Sequence, residues 1–119
     1  MRQAVLFALA LLVPAGARAQ DVANGREAYA ACAACHELTP ASTTAGPSLL
    51  GVAGRRAGSL QDFRYSRAMA ASGIVWTAET LDAYLADPPN ALPGNRMAFS
   101  GIQDAALRRD IVAYLLTLR

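Results

Sequence analysis

Cys32-Ala33-Ala34-Cys35-His36 holds both cysteines and the single histidine of the chain. A Cys-x-x-Cys-His run is the attachment signature of c-type haem: two thiols add across the vinyl groups and the adjacent imidazole binds the iron. Two intervening residues let both sulfurs reach one porphyrin edge from a helical turn, and the next position directs the imidazole to the metal. Two other chemistries use related patterns. A disulfide or thioredoxin-like redox pair also has Cys-x-x-Cys, but the following histidine and the lack of a βαβ pattern weigh against it. A closed zinc site usually takes four Cys or His ligands, and this chain has three candidates.

The N-terminus bears on where such chemistry takes place. After Met1-Arg2-Gln3 comes an apolar run from Ala4 to Val13, then Pro14, Gly16 and Ala17-Arg18-Ala19. This is the pattern of a secretory signal peptide over residues 1–19 with an Ala-x-Ala cleavage site, leaving Gln20 first. The alternative, a retained membrane anchor, is disfavoured because the run is well short of the ~20 residues a spanning helix needs. Residues 20–119 then suit one small domain whose modest core a covalently held apolar cofactor would complete.

Charge changes meaning on cleavage. The formal net charge of +2 includes Arg2 and Arg18, and without them nine arginines face nine acids; there is no lysine. That balance argues against nucleic acid or an anionic membrane as partner, so any docking patch must come from local clustering. Arg55, Arg56, Arg64 and Arg67 are the visible cluster, and a solvated face is its plainest role.

Along the mature chain, Val22, Ala28, Tyr29 and Cys32 recur at helical spacing, with Asn24 available as a cap ahead of Gly25. Glycine there lowers helix propensity and calls for a packing reason. After His36 the periodicity is lost. Thr39-Pro40, Gly46-Pro47, Gly51, Gly54 and Gly58 mark a long loop, and Leu49, Leu50, Val52 and Leu60 argue that it wraps around something. Ser66–Ser72 reads as a short helical turn. Thr77 caps a helix from Ala78 to Leu85 that Asp87-Pro88-Pro89 stops. A second loop, Asn90 to Gly101, contains Pro93-Gly94-Asn95-Arg96-Met97. The last helix starts near Asp104, with Leu107, Ile111, Tyr114, Leu115 and Leu118 as its apolar stripe. No alternating strand pattern, repeat or second-domain linker is visible.

Low-spin electron-transfer haem needs a sixth ligand, commonly a methionine thioether. The mature chain offers Met69 and Met97. Methionine is more often core filler than ligand, so context decides. Met97 follows Pro93-Gly94 in a loop between two helices, which favours it over Met69.

Taken in order, Gly25 with Tyr29, Cys32 to His36, Gly46-Pro47-Ser48-Leu49, Gly54-Arg55, Phe63-Arg64-Tyr65-Ser66, Ser72 to Trp76, Leu81 to Leu85, Pro93 to Phe99 and Ala113-Tyr114-Leu115 resemble the small monohaem cytochromes c of mitochondria and bacteria over residues 24–118. The resemblance implies an all-α cytochrome c fold of three to five short helices and long loops wrapped around one covalently bound haem c. It implies Cys32 and Cys35 as attachment points and His36 and Met97 as iron ligands. Pro47 would accept the imidazole N–H, and Arg55, Tyr65 and Trp76 would serve the propionates. Tyr84 would lie near the Met97 sulfur, Phe99 would cover the haem face, and Gly25 and Tyr29 would pack on Tyr114. Asn95 stands where many relatives have threonine, so the propionate contact that the resemblance implies there is altered. Met69 replaces a polar asparagine of the mitochondrial proteins, and their docking lysines are absent.

The function so implied is that of a periplasmic one-electron carrier, not an enzyme: a monomer that docks transiently at the haem edge with periplasmic redox proteins and does not insert into a membrane. Two other readings carry their own signatures. A dedicated electron-accepting subunit of a periplasmic dehydrogenase or oxidase would form a salt-stable complex. A catalytic or gas-sensing haem would have an open sixth site.

Overall fold

The computed structural model describes residues 3–11 and 20–119. The architecture is helical: α1 Val22–Ala28, α2 Ala30–Ala33, α3 Arg67–Ala71, α4 Ala78–Ala86, α5 Pro88–Ala91 and α6 Ala105–Leu115. The described residues form no strand beyond one isolated antiparallel bridge, Arg56 with Val75. Six segments arise where three to five were expected, because Tyr29 interrupts the first helix and a single turn follows the stop at Asp87. Residues 3–11 have no helix, and Val5, Leu6, Phe7, Leu9 and Leu11 are exposed. The rest of the expected signal segment, including Ala17-Arg18-Ala19, lies outside the described residues.

The first and last helices cross, and two residues set how closely. Gly25 is buried, and a Cβ added there would stand 2.0 Å from the Asp110 carbonyl oxygen and 3.0 Å from Tyr114 Cβ. Only hydrogen at that position allows the crossing. One turn on, Tyr29 meets Tyr114 edge-on, ring centroids 5.4 Å apart, a geometry that adds about 0.5–1.5 kcal/mol to area burial. Asp21 caps α1 by accepting from Asn24 N at 2.9 Å, so the cap falls three residues before the expected Asn24. The reason is tertiary: Asp110 of α6 accepts from Asp21 N and from Asn24 Nδ2, each at 2.8 Å.

Helix α4 begins in a capping box, Thr77 and Thr80 each bonding the other's backbone N–H. It presents Leu81, Tyr84 and Leu85 inward, where they join Ile111, Leu115 and Leu118 of the C-terminal segment in one core. Arg108 ties α6 to α4 through Asp82 at 2.8 Å. That ion pair, with Asp82 substantially exposed, is worth at most about 1 kcal/mol, against roughly 1.5–3 kcal/mol for each large apolar side chain buried. Helix–helix packing therefore fixes the frame on which the loops hang.

Candidate haem site

The pentapeptide continues the helical path of α2. Cys32 N donates to Tyr29 O, Cys35 N to Cys32 O and His36 N to Cys32 O, at 2.8, 3.1 and 2.9 Å. Both thiols and the imidazole therefore leave one turn, and all three line a single cavity of about 270 Å³. The Tyr29 hydroxyl donates to the His36 carbonyl at 2.5 Å, which pins the end of that turn. Burial pushes this phenol up to about 12, so it stays a protonated donor.

The imidazole is oriented from the loop that follows. His36 Nδ1 lies 2.8 Å from Pro47 O, and because a carbonyl only accepts, Nδ1 carries the proton and Nε2 keeps its lone pair. Burial lowers the His36 pKa, the Arg55 charge adds to this, and the Pro47 bond opposes it. The net effect favours the neutral ring. Gly46 allows the contact: a Cβ there would meet Cys35 O at 2.7 Å and His36 Nδ1 at 2.9 Å. The Gly46-Pro47 dipeptide was a visible signal, but its steric role toward the histidine was not anticipated.

The loop itself is tied down by polar side chains. Ser48 Oγ donates to Thr39 O at 2.6 Å, and Ser42, through its N–H and its hydroxyl, donates to both Asp62 carboxylate oxygens at 2.8 and 2.7 Å. The Arg55 guanidinium donates to Ser48 O at 2.7 Å and Leu50 O at 3.2 Å. Among the described residues, its fork makes these two hydrogen bonds out of five N–H donors. Tyr65, Trp76 and Arg55 line the cavity together.

More of the lining comes from α4 and the second loop. Trp76 and Tyr84 pack with ring centroids 5.2 Å apart. The Tyr84 hydroxyl is buried without a hydrogen-bond partner among the described residues, and burial pushes its pKa up to about 12. Arg96, Met97, Ala98 and Phe99 all border the cavity, so this segment runs along it. Met69 borders it too, from α3. Of the residues expected to bind the cofactor, Asn95 alone is not among the lining residues. Its side-chain amide donates to Pro88 O and Leu92 O at 2.9 Å each, while its Oδ1 accepts from Met97 N at 2.9 Å. Asn95 thus ties together the backbone of Pro88, Leu92 and Met97.

The residues present fit a c-type haem. Two thiols and an unprotonated imidazole nitrogen would supply attachment and one iron ligand. The lining is largely apolar. Its only charged side chains are Arg55 and Arg96, which suits a ligand with two carboxylates. The orphaned Tyr84 donor is what a cavity made for a bound group leaves behind. By contrast, no three His, Cys, Asp or Glu side chains cluster among the described residues in a way that could hold a metal ion, so the zinc reading has no donor set.

Short helices and tied loops around an apolar cavity, with a Cys-x-x-Cys-His turn on one wall and thioethers on another, define a c-type haem protein. The family model for cytochrome c matches residues 22–119, and the chain belongs to the cytochrome c family. It is 42% identical over 111 residues to cytochrome c2 of Blastochloris viridis, covering 92% of this chain and 87% of that protein. It is 43% identical over 96 residues to cytochrome c2 iso-2 of Magnetospirillum fulvum, covering 81% and 100%. Among solved structures, cytochrome cH from Methylobacterium extorquens superposes with a TM-score of 0.77 at 41% identity, covering 82% of this chain and 98% of that one. The cofactor is accordingly a covalently bound c-type haem with iron, and the chain is an electron-carrier cytochrome.

Proposed function

We infer that the chain is a periplasmic one-electron carrier with His36 and Met97 as axial ligands and no substrate chemistry of its own. The observation that carries this reading is the His36 Nδ1–Pro47 O bond, which commits one imidazole nitrogen to the protein and leaves the other for iron. Met97 is favoured across from it because its loop runs along the cavity from Arg96 to Phe99, and Asn95 Oδ1 holds its backbone N–H. Met69, in contrast, comes from a helical turn closed on itself: its N–H donates to Ser66 Oγ and its carbonyl accepts from Ser72 Oγ.

Once attached through Cys32 and Cys35, the haem supplies reversible one-electron exchange between ferric and ferrous iron. Leu49, Val52, Leu81, Leu85 and Phe99 exclude water from it. Arg55, with Tyr65 and Trp76, serves its carboxylates, and Tyr84 offers its hydroxyl to the thioether. Residues 1–19 act as an export signal removed after Ala19. No helix among the described residues is long and apolar enough to cross a membrane. Partners are redox proteins that dock briefly at the haem edge, and the balanced charge of the mature chain leaves only local steering, so docking is weak and salt-sensitive. The test is carbon monoxide added to the ferrous protein. A six-coordinate carrier keeps its spectrum at neutral pH, and a rapid spectral change would favour the open-site alternative.

A further inference from the structure

We propose that Gln20, as first residue of the mature chain, cyclises to pyroglutamate and leaves a protein with no primary amine. The proposal rests on the removal of residues 1–19 inferred above.

The fold stops one residue short of the new terminus. Asp21 N–H is held by Asp110 Oδ1 at 2.8 Å, and the Asp21 carboxylate caps α1. Gln20 lies just outside this clasp, exposed and without regular structure. No hydrogen bond of its side chain to the described residues restrains it. A glutamine in this position carries its own electrophile. The α-amine, with an ordinary pKa near 8, is partly unprotonated at neutral pH and can reach its side-chain Cδ in a five-membered ring. A bond forms between the α-nitrogen and Cδ, and the bond from Cδ to Nε2 breaks. The proton lost by the α-nitrogen leaves with Nε2 as ammonia. No oxidant, reductant or co-reactant is needed.

What sets this chain apart is its composition. It contains no lysine, so after cleavage the α-amine would be its sole primary amine. The lactam nitrogen is neither basic nor nucleophilic, so cyclisation closes the terminus to aminopeptidases. The cationic charge of the folded domain is then carried by arginine, apart from any proton on His36. Any cationic contact that a docking surface on it makes is then made by a guanidinium group.

The experiment expresses the full precursor in a bacterium that exports and loads it, and purifies the mature holoprotein. Intact mass and the mass of the N-terminal peptide are measured, and the unfolded protein is treated with an amine-reactive ester. The expected mass is residues 20–119 plus one haem minus one ammonia, with no ester incorporated. A Gln20→Ser variant should keep the visible spectrum and take up one ester per chain. Residues 20–119 with the ammonia retained and one ester per wild-type chain would overturn the proposal while leaving the cleavage reading intact. A mass that includes residues before Gln20, or begins after it, would overturn both.

Discussion

Gly25 lies so close to Asp110 that a single methyl group on its α-carbon would sit 2.0 Å from the Asp110 carbonyl oxygen. The obstacle is backbone, which cannot rotate aside, and Tyr114 Cβ at 3.0 Å blocks the other direction. Gly25→Ala should therefore destabilise the protein, by about 3 kcal/mol or more, since overpacking a tight contact typically costs 1–3 kcal/mol and occasionally more. The ~1 kcal/mol that alanine gains in helix propensity does not offset this. Guanidinium unfolding of the holoprotein, followed by far-UV circular dichroism, measures the loss. Wild-type stability in the variant would mean that α1 and α6 do not approach as described.

Tyr84 makes the opposite case, a buried hydroxyl with no partner among the described residues. Tyr84→Phe breaks no hydrogen bond among the described residues, so its effect should be read at the haem. The reduction potential should fall. A hydroxyl donated to the axial sulfur draws electron density from it and favours ferrous iron, and removing a bond of about 1 kcal/mol corresponds to tens of millivolts at ~59 mV per tenfold for one electron. Spectroelectrochemistry of the two proteins decides it. An unchanged potential would show that the hydroxyl does not reach the iron's ligand.

Asp62 gives the loop before Pro47 a dependence on pH. Its carboxylate accepts two bonds from Ser42, and these bonds, with a smaller contribution from the Arg55 charge, hold its pKa below the ordinary value of 3.8. A carboxylate with a folded pKa below its unfolded one contributes stability above the unfolded value and loses it as pH falls through the folded one. The clasp should thus stay intact from neutrality through the ordinary carboxylate value of 3.8 and open only below it, as pH falls through the lower folded value. Amide exchange at Ser42 should accelerate in that acid range relative to neighbouring amides, after correction for intrinsic rates. In Asp62→Asn it should be fast already at neutral pH.

Much of this was legible because the local and global signals agree. The pentapeptide, the Thr77 cap, the stop at Asp87-Pro88 and the stripe of the last helix are short-range patterns, and the structure realises each. The misses share a physical cause. Whether Asp21 or Asn24 caps α1 is settled by Asp110, nearly the whole mature chain away, which binds both. The resemblance implies a propionate contact for Asn95, while its side chain also holds the backbone of Pro88, Leu92 and Met97, bonds that residue type does not reveal. The role of Gly46 depends on where the His36 ring comes to rest, which no local pattern encodes. Met69 and Met97 both reach the cavity, so residue type alone could not separate them.

The central claim is a six-coordinate carrier with His36 on one side and Met97 on the other, and the ferric absorption spectrum of two variants tests it most directly. In the wild type a weak charge-transfer band between iron and thioether should stand at the red edge of the spectrum. Met69→Ala should keep that band, and Met97→Ala should lose it entirely, with high-spin features in its place. A Met97→Ala spectrum indistinguishable from wild type would contradict the account.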